Sequence, residues 1–128
     1  KHAFLCATYG VELSMFFQKK LGAGLVGGEG FIMQKVTGPG LVFLEVDGFC
    51  QDYDLAPGER LVCDTGVLAV MDETCSMDVQ MVKGVKNMIF GGEGLFDTVI
   101  TGPGKVHLQT MTIGRLARQI IPYIPNKK

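Results

Sequence analysis

The feature that most constrains this chain is a match to itself at a constant offset of 64 residues. Gly27-Gly28-Glu29-Gly30 recurs as Gly91-Gly92-Glu93-Gly94, and Thr37-Gly38-Pro39-Gly40 recurs as Thr101-Gly102-Pro103-Gly104. Eight of the 14 positions from Gly27 to Gly40 are identical in the second copy. Downstream, Val42 and Leu44 return as Val106 and Leu108; upstream, the apolar run Ala3 to Cys6 aligns with Val67 to Val70, and Leu25-Val26 with Ile89-Phe90. Self-similarity at a fixed period is the mark of one supersecondary unit used twice. The repeat units run from about 1 to 64 and from 65 to 128, and that length fits a single domain with a continuous core.

Each copy reads as strands. In Lys105-Val106-His107-Leu108-Gln109-Thr110 apolar and polar residues alternate strictly, the period-2 pattern of a half-buried strand with Val106 and Leu108 inward. Leu41 to Val46 keeps the same parity and runs into Asp47-Gly48, a hairpin signal, before Phe49. Pro57-Gly58 marks a turn between Tyr53-Asp54-Leu55 and Arg60 to Cys63, and Asp64-Thr65-Gly66 turns the chain into Val67 to Met71. Eighteen glycines, about twice the usual share of roughly 7%, fit many tight turns better than helices. About ten short strands at regular spacing predict an all-β sandwich or barrel. The copies part after Thr110, where Ile113 to Ile121 places Ile113, Leu116, Ile120 and Ile121 on one face and is stopped by Pro122. That pattern predicts a short amphipathic helix, expected to cap the sandwich or else to dock on a partner subunit.

Charge narrows the function classes. With 12 basic and 13 acidic side chains the net charge is −1, so no global field draws the chain to phosphate backbones. Lys19-Lys20 and Lys127-Lys128 read as solvated turn and tail. No run approaches the ~18 apolar residues of a membrane span, and a soluble, cytoplasmic protein is expected. Cys6, Cys50, Cys63 and Cys75 contain no Cys-x-x-Cys and read as free, mostly buried thiols of a reducing compartment.

No catalytic constellation is recognisable. Gly22-Ala23-Gly24-Leu25-Val26-Gly27 has the letters of a dinucleotide fingerprint but lacks the following helix, and reads as a glycine-rich turn. Glu29 and Glu93, the duplicated acids between glycines, are the candidate binding residues; their ordinary role would be to accept backbone N–H bonds in a turn. His2 and His107 are too few for a three-histidine metal site, and no Cys or His pair has zinc-ligand spacing, so neither metal nor cofactor is expected. His107 stands where the first copy has Phe43 and reads as a surface histidine, although a pairing with Cys63 or Cys75 in space stays open. Asp64, Asp72, Glu73 and Asp78 read as solvated acids at turns and strand ends. The seven methionines read as core gap-fillers.

The strings Gly28-Glu29-Gly30-Phe31, Thr37-Gly38-Pro39-Gly40, Leu55-Ala56-Pro57-Gly58-Glu59 and Val62-Cys63-Asp64-Thr65-Gly66 resemble prokaryotic relatives of the altered-inheritance-of-mitochondria family. The stretch from Val82 to Phe96 is the most specific part, and the resemblance spans nearly the whole chain. It implies a double-stranded β-helix, jelly-roll-like, of the kind grouped with the tryptophan RNA-binding attenuation protein. It also implies residues upstream of Lys1, and it brings no catalytic residue with it. The expected function is a non-enzymatic interaction or scaffold protein, forming a homo-oligomer. The alternatives are a cupin-like small-molecule or metal-binding enzyme, which lacks clustered histidines, and an RNA-binding regulator, which lacks repeated basic residues.

Overall fold

The computed structural model describes residues 3–19, 31–81 and 96–125. Ten strands lie among them: β1 (Phe4–Ala7), β2 (Glu12–Lys19), β3 (Phe31–Thr37), β4 (Val42–Leu44), β5 (Cys50–Leu55), β6 (Arg60–Asp64), β7 (Leu68–Met71), β8 (Ser76–Met81), β9 (Phe96–Thr101) and β10 (Gly104–Gln109). One helix follows, α1 (Ile113–Ile120), stopped by a single 3-10 turn, Ile121–Tyr123, that contains Pro122. The all-β class with a short C-terminal helix is what the structure has, and every strand pair in it is antiparallel.

The duplication is written into the pairing registers. In the first copy Glu12 faces Thr37 and Leu13 faces Val36; in the second Ser76 faces Thr101 and Met77 faces Ile100, the same pairs moved by the repeat offset. Likewise Phe4, Cys6 and Ala7 face Leu44, Phe43 and Val42, and Leu68, Val70 and Met71 face Leu108, His107 and Val106. Even the irregularity between Phe4 and Cys6 has its counterpart at His107/Leu108. A slip of one residue would turn every side chain to the opposite face, so matched registers mean matched inward positions.

The Thr-Gly-Pro-Gly turns fix that register. In both, the Gly-Pro bond is cis and the second glycine has positive φ, +152° at Gly40 and +143° at Gly104. A Cβ on Gly40 would lie 2.5 Å from Thr8 Oγ1 and 2.6 Å from Val11 Cγ2; on Gly104 it would lie 2.6 Å from Thr74 Oγ1 and 2.8 Å from Cys75 Sγ. The next amide donates to the side chain of the residue that follows β1 or β7, Leu41 N–H to Thr8 Oγ1 at 2.9 Å and Lys105 N–H to Asp72 Oδ2 at 2.8 Å. Thr8 and Asp72 stand at equivalent positions, so the duplication preserves an acceptor where it does not preserve the letter. Asp72 is therefore a turn clamp, not merely a solvated acid.

The chain divides into two units, one holding β1 to β4 and the other β5 to β10 with α1. In the first, β1 pairs with β4 and β2 with β3. In the second, the corresponding pairs β7–β10 and β8–β9 each gain a third strand, giving the orders β5-β10-β7 and β6-β9-β8. The strands flanking Asp47-Gly48 thus do not form the expected hairpin: β4 pairs with β1, and β5 with β10. The local turn is real, with Gly48 at φ +78°, but its hydrogen bonds go elsewhere. Asp47 N–H donates to Gln109 Oε1 at 3.0 Å, and Met111 N–H donates to the Asp47 carbonyl at 3.3 Å. The turn at Pro57-Gly58 behaves alike, for it passes the chain from the sheet of β5 to that of β6.

Among the described residues every buried one belongs to the second unit: Leu55, Cys63, Val67, Leu68, Cys75, Val79, Thr98, Val99, Ile100 and Val106. The single buried polar side chain, Thr98, donates its hydroxyl to Thr65 Oγ1 at 3.2 Å, so no lone hydroxyl weakens this core. The thiols depart in part from expectation: all four are free, Cys63 and Cys75 are buried, Cys50 is half-buried and Cys6 is exposed.

Candidate functional site

Three donor side chains converge on the outer face of the β5–β10 pair. Asp52 and His107 are direct partners in the ladder, and Cys50 lies two residues before Asp52, hence on the same face of β5. His107 Nδ1 and Asp52 Oδ1 share a hydrogen bond of 2.7 Å, and Cys50 Sγ donates to the same Oδ1 at 3.7 Å. The donor atoms of all three lie within 4.8 Å of one another. Val106, fully buried on the opposite face, anchors the middle strand β10 beneath them.

Electrostatics follow from this geometry. The hydrogen bond from His107 holds the Asp52 carboxyl below the usual range, against an opposing effect of desolvation, with the His107 charge and the Cys50 bond adding in the same downward direction. Burial, then the Asp52 charge, pushes the Cys50 thiol up. Cys63 is pushed up to about 11, by burial first and then by Asp64 and Asp97. Cys75 is also raised, by burial and by Asp72, and its thiol donates to the Pro103 carbonyl at 3.5 Å. An activated nucleophile needs a lowered thiol pKa, so none of these sulfurs has that character. The pairing left open between His107 and Cys63 or Cys75 is not the one formed; the sulfur near His107 is Cys50.

Glu29 and Glu93, the candidate binding residues, lie outside the described residues, as does the glycine-rich stretch from Gly22 to Gly27. The other acids have structural work. Asp64 accepts the Gly66 N–H at 2.9 Å and pairs with Arg115 at 3.1 Å, and Gln80 donates to Asp78 at 3.1 Å. The cluster at Cys50, Asp52 and His107 was not foreseen, since its two strands are 55 residues apart in the Asp52–His107 pair. Only the polar side of the alternation around His107, and Cys50-x-Asp52 as a one-sided pair, were visible in the letters.

A second feature lies on the first unit. A shallow, open groove of about 220 Å³ runs over the β2–β3 ladder, lined by Leu13, Ser14, Met15, Ile32 and Gln34. Among the described residues, no helix is long and apolar enough to cross a membrane.

A family model described as mitochondrial biogenesis AIM24 matches residues 1–111, all ten described strands. The chain belongs to the AIM24 family. The match ends before α1, so the helix lies beyond the part that defines membership. The resemblance to relatives of the altered-inheritance-of-mitochondria family is thereby established at the level of the family. No curated protein matches the chain.

Proposed function

We propose that this AIM24-family chain is a non-enzymatic interaction or scaffold protein that works as a homo-oligomer in the cytoplasm. What supports this most is an internal comparison that the repeat makes possible. Met15 and Val36 on β2 and β3 are 64% and 38% exposed, whereas their counterparts Val79 and Ile100 are 3% and 0% exposed. In the second unit each sheet has a third strand, and those strands bring Leu55 and Cys63 into the core beside these positions. The first unit presents the same inward pattern with no such third strand among its described residues. Leu5, Leu13, Phe16, Ile32 and Phe43 of the same unit are exposed as well.

A second copy of the chain is the occupant this reading assigns, because apolar faces and open strand edges pair in symmetric assemblies. The four free cysteines support a reducing compartment. The near-neutral charge gives phosphate backbones no purchase. Light scattering and native mass spectrometry of the purified chain should give a defined oligomer, and Met15→Glu with Val36→Glu should convert it to smaller species without loss of strand signal. A monomer at every concentration would sink the homo-oligomer.

A further inference from the structure

We infer that Cys50, Asp52 and His107 form a three-ligand site for a divalent transition-metal ion of the zinc type, its fourth position open to water. The donor set carries the chemical class. A thiolate, an imidazole and a carboxylate together suit zinc and similar borderline ions rather than the all-oxygen preference of calcium or magnesium. Bond lengths of about 2.0–2.3 Å in a tetrahedral site set neighbouring donors roughly 3.3–3.7 Å apart. The sulfur-to-carboxylate separation of 3.7 Å already meets that spacing; side-chain rotation has to open the 2.7 Å between His107 Nδ1 and Asp52 Oδ1 and set the remaining pair, within 4.8 Å, to the same spacing.

The framework is stiff where a site needs it to be. Asp52 and His107 are opposed within a ladder that runs unbroken from Gly104↔Leu55 to Gln109↔Cys50, so the ligands come from strands rather than loops. The neighbour Gln109, opposite Cys50, is engaged elsewhere: it donates to the Gly66 carbonyl at 2.9 Å and accepts from Asp47 N–H at 3.0 Å. His107 is 32% and Asp52 72% exposed at the side chain, which leaves an approach for the ion and for water. On binding, Cys50 releases its thiol proton to solvent and His107 coordinates as neutral imidazole, its proton on Nε2. The ion takes the place of the proton between Nδ1 and Oδ1, which passes through solvent to Nε2 to give that tautomer. Short ligand spacing along the chain does not show such a set, because the strand ladder brings His107 beside Asp52. The site has no twin in the first copy, where Phe43 stands in the place of His107.

The test is titration of the metal-free chain with cobalt(II), read by absorbance, followed by displacement with zinc. One equivalent should bind with a thiolate-to-cobalt charge-transfer band and tetrahedral d–d bands. Cys50→Ser should abolish the charge-transfer band, whereas Cys6→Ser, removing the exposed thiol, should leave it. His107→Phe, which installs the residue of the first copy, and Asp52→Asn should each weaken binding by more than about tenfold. Asp52→Asn carries the test if the histidine variant does not fold. No band at equimolar cobalt, a band that survives Cys50→Ser, or undiminished affinity in the folded Asp52→Asn chain would each overturn the site. None of these results bears on the oligomer, which light scattering reads independently.

Discussion

At the residue scale, the repeated glycines act through geometry that no other residue reproduces. Gly40 and Gly104 hold φ of +152° and +143°, where a side chain is strained, and each has a neighbour within 2.6 Å of where Cβ would stand. The surroundings differ. A Cβ at either would meet an exposed threonine first, Thr74 at Gly104 and Thr8 at Gly40; the next neighbour is the buried Cys75 at Gly104 and the half-buried Val11 at Gly40. Gly104→Ala should therefore destabilise the chain by about 2–3 kcal/mol and Gly40→Ala by about 1 kcal/mol, as urea unfolding of the two variants will show. Equal losses would mean that backbone strain alone decides.

Asp52 gives a pH prediction with a definite sign. Its carboxyl is held below the ordinary 3.8 in the fold, chiefly by the bond from His107. The unfolded chain takes up the proton first as pH falls, so the contribution is present above 3.8 and is lost as pH drops through the lower, folded value. A carboxyl-detected NMR titration should place the Asp52 midpoint below 3.8, and His107→Phe should return it toward that value. A midpoint that ignores the substitution would remove His107 as the cause. The Asp52–His107 pairing was not legible in the letters, because alternation says which side of a strand a residue takes and not which strand lies beside it.

At the element scale, the strands and the helix were largely legible, and their partners were not. α1 starts and stops where its periodicity and Pro122 place it, with Thr112 accepting the Arg115 N–H at 3.3 Å as N-cap. The expectation that it caps a sandwich is only half met. Its N-terminus is tied down by Asp47 Oδ2, which accepts the Ile113 N–H at 2.8 Å, and by the Arg115–Asp64 pair at 3.1 Å. Yet no residue of α1 is buried, and Ile113, Leu116 and Ile120 are 73%, 40% and 48% exposed. The ion pair, with both partners partly solvated, is worth about 0–1 kcal/mol, so the Asp47 bond is the main tether. Asp47→Ala should destabilise the helix by about 1 kcal/mol, seen as faster hydrogen exchange at Ile113 to Leu116 with the β10 amides unchanged. Slowed or unaltered exchange there would show that Thr112 alone holds the first turn.

At the scale of the whole molecule, the two copies share a register but not a burial pattern. All described buried residues lie in the second unit, because β5 and β6, strands of the first repeat, complete sheets of the second. The boundary between the two units near residue 45 is therefore not the repeat boundary near 64; we propose that 1–128 nevertheless folds as one domain. That reading predicts a single cooperative transition by calorimetry, with calorimetric and van't Hoff enthalpies equal. Two separated transitions would divide the chain instead.

By itself the sequence determined the duplication, the inward parity of β10, the turns at Asp47-Gly48, Pro57-Gly58 and Asp64-Gly66, the helix, and the family. These are properties of neighbouring residues: φ freedom, side-chain caps, and period. Tertiary structure alone decided that β4 and β5 part company, that Thr8 and Asp72 do one job with different letters, and that Cys50, Asp52 and His107 meet. Strand partners are selected by completing backbone hydrogen bonds and covering apolar faces across the whole chain, and no local pattern of residues encodes that choice.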